Sequence, residues 1–280
     1  MFVINSITVV IVTYKSQNTI FKCLKSIKKI NNIYILENSN DSNFKKKINK
    51  NFPNIKVFLS KKNNGYGAGY NELLNKVKTK YALIMSPDSY FSKKKLNIFL
   101  NSIDKVKENF TLMGPEIQNK KYQIEYKKWY NRTKFILGFS FLINLKNIKN
   151  KKKIFDQNIF LYLEDIDLCK RLLKHNHTLL TNKYFEINHK GAQSSNLGKG
   201  IFNKIRNWHW MWSQFYFSKK HDGLSISLIK FIPKLLLTFI KFGILSLLDK
   251  KNADDYKFRA KGLFASIMNK NSYLRPNDLI

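Results

Sequence analysis

Tyr81-Ala-Leu-Ile-Met-Ser-Pro-Asp-Ser-Tyr-Phe91 is the stretch on which the reading of this chain turns. Tyr81 to Met85 is apolar throughout, the pattern of a strand buried on both faces. The run stops at Ser86-Pro87, because Pro87 has no N–H to give to a sheet ladder. Asp88 then falls just past the carboxyl end of the strand, where open α/β sheets bind their ligands. A solvent-facing carboxylate there suits a divalent cation with a taste for oxygen, Mg²⁺ or Mn²⁺. Taken by itself, Ser86 to Ser89 reads equally as an ordinary Pro-Asp-Ser turn.

Upstream of this strand, Ile7 to Thr13 is β-branched and apolar, again a fully buried strand. Ser16 to Thr19 supplies capping residues for a helix whose Ile20, Cys23, Leu24 and Ile27 share one face. Ile33 to Leu36 is a second strand, ending in the polar loop Glu37-Asn-Ser-Asn-Asp-Ser42. Ile55 to Leu59 is a third. Asn63-Asn-Gly-Tyr-Gly-Ala-Gly-Tyr-Asn71 opens a helix ending near Val77; its glycines let backbone approach a ligand, and a helix N-terminus favours phosphate. The dinucleotide-binding glycine spacing is absent. Strands alternating with helices predict a parallel, doubly wound sheet.

Downstream, a helix is expected from about Lys93 to Val106 and a strand around Thr111 to Met113. Residues 116–134 turn polar and aromatic, suggesting irregular strands of an acceptor-facing half. Gly138 to Asn144 resumes a buried strand, and Phe160 to Arg171 crosses from an apolar run into a helix. His177 to Thr181 and Tyr184 to His189 read as closing strands.

The chain has 280 residues, 44% of them hydrophobic, enough for a packed core. Cys23 and Cys169 fall in helical stretches without metal-ligand spacing, as expected of reduced thiols in a cytosolic setting. The first residues lack the charged and apolar regions of a secretion signal. The net charge of +33 attracts anions in general. Its basic residues are nearly all Lys, with Arg only at positions 132, 171, 206, 259 and 275. Bidentate base readout favours Arg, so the charge reads as attraction to nucleotide phosphates and anionic lipid, with nucleic acid the minority reading.

Glu164, Asp165 and Asp167 cluster in a chain with 18 acids. Acids at a helix start complement its dipole, and Asp167 with Arg171 forms an i,i+4 pair. One of these carboxylates could instead face a cleft as a general base. His189 reads as a surface histidine or a metal ligand.

In order along the chain, Ile11-Val-Thr-Tyr14, Glu37-Asn38, Asn64-Gly-Tyr-Gly-Ala-Gly-Tyr-Asn71, Ser86-Pro-Asp88, Gly138, Phe160 to Cys169 and His189 resemble the family-two glycosyltransferases. The resemblance covers about residues 7–196, and the nearest subgroup is the rhamnosyltransferase-like one of bacterial cell-surface polysaccharide synthesis. It implies a GT-A nucleotide-sugar-binding fold, α/β with a mainly parallel central sheet. A nucleotide-sugar half would occupy about residues 1–115 and an acceptor half about 116–200, followed by a C-terminal helical segment at 201–280. It also implies an inverting, metal-dependent enzyme moving a sugar, rhamnose among the candidates, from a nucleotide-diphosphate donor to a glycan or lipid-linked sugar acceptor. Thr13, Tyr14, Glu37 and Asn38 would surround the nucleoside, and Asn64, Gly65 and Asn71 would line the donor. Asp88 would hold Mg²⁺ or Mn²⁺ with His189 nearby. Asp165 would be the base, with Glu164 beside it. Two positions depart from the family pattern: Ser86 stands where Asn is usual, and Glu37 where Asp is usual. An inactive nucleotide- or glycan-binding module of the same fold is the alternative.

Beyond this region, Asn207 to Phe217 is strongly aromatic and Leu224 to Leu248 almost wholly apolar, long enough to cross a membrane. Lys230, Lys234 and Lys241 fall within about 40° of one another on a helical wheel, with Ser227 and Thr238 alongside. Three buried charges disfavour crossing. The pattern predicts a helix lying on an anionic membrane, anchored by nearby Trp and Tyr and kinked or split at Pro233. A core helix pair covering the catalytic domain is the competing reading. The expected location is cytoplasmic, peripheral on the inner face of the cytoplasmic membrane.

Overall fold

The computed structural model describes residues 2–92, 94–116, 123–125, 129–189, 191 and 194–279. Parts of the polar-aromatic stretch 116–134, and Lys93 at the expected helix start, lie outside these. The chain forms two compact units, one of residues 1–156 with 165–196 and one of residues 157–164 with 197–280. The helical unit thus begins slightly before the expected boundary at 200 and also takes 157–164, because Leu161 packs into its core.

The first unit opens with a single turn, α1 (Phe2–Asn5). Strands β1 (Ile7–Thr13), β2 (Asn32–Glu37), β3 (Lys56–Leu59) and β4 (Tyr81–Met85) follow, linked by helices α2 (Ile20–Ser26), α3 (Ser42–Asn51) and α4 (Tyr66–Lys76). They pair in parallel in the spatial order β3-β2-β1-β4. Helix crossovers of this kind are what parallel pairing requires. The β-branched run of β1 is continuous because both its faces are covered. Ile7, Val9 and Ile11 enter one core cluster and Val10 the other.

After β5 (Ser89–Tyr90), α5 (Lys95–Ile103), β6 (Leu112–Pro115), β7 (Gln123–Glu125), β8 (Tyr130–Thr133) and β9 (Ser140–Asn144), the sheet reaches nine strands, β3-β2-β1-β4-β9-β6-β10-β8-β7, among the described residues. Helix α6 (Glu164–Lys174) leads to β10 (Leu179–Asn182), parallel to β6. Only β9 and β8 run against the direction of the other strands. The expected closing strand at 184–189 shrinks to β11 (Asn188–His189), which pairs with β5 outside the main sheet.

The second unit holds α7 (Lys199–Asp222), α8 (Leu224–Leu248) and α9 (Lys250–Ile267). Gly223, at φ +92°, makes the turn between α7 and α8, a conformation that costs a side-chain-bearing residue energy. Gly262 lets α9 close on α7: a Cβ there would lie 2.1 Å from the Trp208 carbonyl oxygen. Trp208, Trp212 and Phe215 are buried in this unit's core. The aromatic run expected to anchor a membrane therefore mostly fills the bundle, and only Trp210 among its tryptophans is exposed. Pro233 sits inside one continuous α8 rather than dividing it.

Candidate active site at the carboxyl edge of the sheet

β1 and β2 end in register, Thr13 beside Glu37, so their last side chains share the carboxyl edge. The Glu37 carboxylate is fully buried. It accepts hydrogen bonds from the Thr13 hydroxyl, from the Ser39 N–H at 2.8 Å and from the Ser39 hydroxyl. About three of its four lone-pair directions are taken, which leaves room for one more donor. Burial pushes its pKa up, against the pull of those hydrogen bonds. Tyr14 lies close enough that burial and the Glu37 charge raise its phenol pKa, opposed by a hydrogen bond with Asn63.

Asn38 is fixed on one side only. Its N–H reaches the Thr13 carbonyl at 2.8 Å and its Nδ2 the Gly65 carbonyl at 3.1 Å. Its Oδ1 is buried with no hydrogen-bond partner among the described residues, a condition costing about 1–3 kcal/mol until a donor arrives. Gly65 caps α4 at φ +87°, its N–H held by the Asn63 Oδ1 at 3.0 Å. Asn64 lies alongside, its Nδ2 3.4 Å from the Ser60 hydroxyl. Asn71 is employed differently. Its Oδ1 accepts from the Phe155 N–H at 2.9 Å and its Nδ2 donates to the Phe155 carbonyl at 2.8 Å, so it clamps backbone inside the unit.

The turn after β4 is pinned from several sides. Tyr70 donates to the Met85 carbonyl at 3.0 Å, and the Ser89 hydroxyl and N–H both reach the Ser86 carbonyl. The Pro-Asp-Ser turn therefore exists, and it serves to present Asp88. Asp88 is buried, only 3% exposed, where the sequence suggested a solvent-facing group. The difference arises because β5 and β11 pair over it, setting His189 beside Ser89. The His189 Nε2 lies 3.5 Å from the Asp88 Oδ1. Among the described residues no three of His, Cys, Asp or Glu converge. Asp88 and His189 are still a fit for Mg²⁺ or Mn²⁺, which commonly take one or two protein ligands and fill the rest with phosphate oxygens and water.

Asp165 sits in the first turn of α6. Its Oδ1 accepts from the Ile166 N–H at 2.8 Å and its Oδ2 from the Gly138 N–H at 2.9 Å. Burial outweighs these bonds and holds its pKa above the usual aspartate value. A Cβ on Gly138 would lie 2.7 Å from that Oδ2, so any larger residue there would push the carboxylate aside. Tyr162 and Leu163, just before α6, both have φ near +70°, strain of the kind found beside functional groups. Asp167 pairs with Arg171 at 2.7 Å, and Arg171 also donates to the Ile154 carbonyl at 2.6 Å. That acid is structural. Glu164 is buried at the helix start and is grouped with the second unit.

Residues 138–140 join these parts. Gly138 holds Asp165, and the Gly138 carbonyl accepts from the Tyr66 hydroxyl. The Phe139 carbonyl accepts from the Ser86 N–H at 2.8 Å, and its ring stacks on His189 with centroids 4.4 Å apart. Ser140 donates to the Ile84 carbonyl at 2.9 Å. Sequence reasoning missed Phe139 and Tyr66. The available signals were the place of Phe139 next to Gly138 at the start of an expected strand, and that of Tyr66 inside the glycine-rich stretch.

The profile of Glycosyl transferase family 2 matches residues 8–168. No curated protein matches the chain in sequence. Solved structures similar to it include the mannosyltransferase PcManGT from Pyrobaculum calidifontis in complex with GDP-Man and Mn²⁺. That likeness has 11% identity and a TM-score of 0.59, over 95% of this chain and 88% of that one. The S. aureus TarS fragment 1–349 is similar at 15% identity and TM-score 0.53, over 96% and 93%. GalNAc-T7 with UDP, GalNAc and Mn²⁺ follows at 12% identity and TM-score 0.53, over 73% of this chain and 51% of that one. These likenesses show the fold, GT-A with a mainly parallel sheet and C-terminal helices.

Proposed function

We propose a donor and a mechanism for this chain, which belongs to glycosyl transferase family 2 and is a glycosyltransferase. The donor is a nucleotide-diphosphate sugar, and the sugar is transferred with inversion to a glycan or lipid-linked sugar acceptor. The observation that carries this reading is the strut at 138–140. One short segment holds a carboxylate of raised pKa at one end and, through Phe139, braces the Asp88–His189 pair at the other.

The nucleoside would sit over the ends of β1 and β2, where Asn38 offers an unoccupied Oδ1 and Glu37 one further lone pair. Asp88 and His189 would hold Mg²⁺ or Mn²⁺, which when bound offsets the charge gathering on the departing diphosphate. Asp165 takes the proton from the acceptor hydroxyl as that oxygen bonds to the anomeric carbon. The bond from that carbon to the diphosphate breaks in the same step, so the configuration inverts. Holding both substrates in line supplies much of the remaining acceleration. The structures with GDP-Man or UDP and Mn²⁺ support this reading.

The test is to incubate the protein with a panel of nucleotide sugars, nucleotide-diphosphate rhamnose included, and to follow nucleoside diphosphate release with and without EDTA. Release that EDTA abolishes is expected, with the product's anomeric configuration opposite to the donor's by NMR. Tight nucleotide binding without turnover for any donor would make the chain an inactive module of the same fold.

A further inference from the structure

Helix α8 turns only one stripe inward. Ser227, Phe231 and Thr238 are buried, and Leu228 and Leu235 pack against the same core. Its lysines reach toward the two neighbouring helices, Lys230 and Lys234 toward α7 and Lys241 toward α9. Lys230 lies 3.3 Å from the Asp222 carboxylate, Lys234 donates to the Gln214 amide oxygen at 2.6 Å, and Lys241 stands 5.6 Å over the Tyr256 ring. On the opposite side Ile229 is 75% exposed, Leu236 58%, Ile240 57% and Leu247 88%. At 100° per residue those four fall within about 40° of one another, and about 180° from the buried stripe. Soluble proteins seldom leave so long an apolar strip in water.

We propose that this outward face of α8 docks on the surface of an anionic lipid bilayer, seating the helix in the interface. Charge selects the occupant. A chain of net charge +33 is drawn to anionic headgroups and repels a second copy of itself. The lysines lie along one edge of the apolar face, where their stems cover carbon and their heads stay polar. A surface position follows from the neighbour: α9 packs against α8 and carries Lys250, Asp254, Asp255, Lys257, Arg259 and Lys261, which a bilayer core would reject. The inference is independent of the proposed chemistry, and it accounts for a sugar acceptor carried on a lipid.

The test is flotation of the full chain with vesicles of phosphatidylglycerol and phosphatidylcholine in a roughly 3:7 ratio, against phosphatidylcholine alone. The chain should float with the anionic vesicles. Leu236→Glu/Ile240→Glu, at exposed positions, should keep the melting temperature and weaken capture about tenfold or more. Equal capture of both would overturn the proposal. So would dimerisation of the wild-type chain, abolished by the same substitutions, without any capture by vesicles. As a second reading, Leu247→Cys carrying an environment-sensitive dye should shift to the blue on adding anionic vesicles, Cys23 and Cys169 being buried and unreactive. An unshifted emission would contradict docking by this face, and resistance to carbonate extraction would contradict the surface position.

Discussion

The two units depart from the rule of apolar inside and polar outside in opposite ways. The sheet unit buries polar groups at one edge: Glu37, Asn38 and Asp88 are nearly without solvent. The helical unit leaves large apolar side chains in water along α8. Buried polar groups cost stability unless they are satisfied, and exposed apolar ones cost it too. Each departure therefore points at what is to be bound, a charged small molecule in the first unit and a lipid surface in the second. Substitutions at the first edge should change chemistry with little effect on membrane capture, and those on α8 the reverse.

The largest break should come from Asp165→Asn, lowering turnover roughly 10²–10⁴-fold while donor affinity barely changes. In the wild type, the acid limb of the turnover profile should lie above the ordinary aspartate value of about 3.9, since burial raises this pKa. If Glu164→Gln is the inactive variant and Asp165→Asn is not, the base has been assigned to the wrong carboxylate. Asp88→Asn comes next, with a loss on the order of 10² or more at saturating Mn²⁺. Near-normal turnover there would sink the assignment of the metal end.

Gly138→Ala sharpens the comparison, because it removes no catalytic group and displaces only one. Its Cβ pushes on the Asp165 carboxylate, and turnover should fall about tenfold to a hundredfold with an unchanged melting temperature. A fully active variant would mean that Asp165 has slack, and the strut no catalytic role.

The effect smallest on activity is confined to the helical unit. His209 is buried between the Ser272 hydroxyl at 3.0 Å and the Leu274 carbonyl at 2.8 Å, and burial pushes its pKa down to about 3. Above about pH 6.5 the imidazole is neutral folded and unfolded, and stability is whole. As pH falls from there toward about 3, the unfolded chain takes up a proton that the folded one refuses. The unit should lose up to about 1.4 kcal/mol per pH unit, seen as a falling melting temperature. His209→Gln should flatten that dependence. A wild-type unit whose melting point is constant between pH 7 and 4 would contradict a neutral buried His209.

The order of strands and helices was legible because each buried strand is a run of β-branched or aliphatic residues ending in Thr13, Glu37 or Ser86-Pro87. The end of one such run pointed to Asp88, whereas Thr13, Glu37 and Asn38 came from the family resemblance. What could not be read was how residues distant in sequence close over one another. Nothing local tells that β11 folds onto β5 and buries Asp88, or that Phe139 stacks on His189. Asn71 was assigned to the donor by the family resemblance alone, and no local pattern tells that its amide bonds the Phe155 backbone. In α8 the wheel found the lysine stripe, but only the packing of α7 and α9 shows which way it faces.

The division of the site into a diphosphate end and a base end is tested most directly by calorimetry of nucleoside diphosphate binding with and without Mn²⁺. The wild type and Asp165→Asn should both bind more tightly when Mn²⁺ is present. Asp88→Asn should bind with the same affinity in either condition. An undiminished Mn²⁺ response in Asp88→Asn, or its loss in Asp165→Asn, would contradict the account.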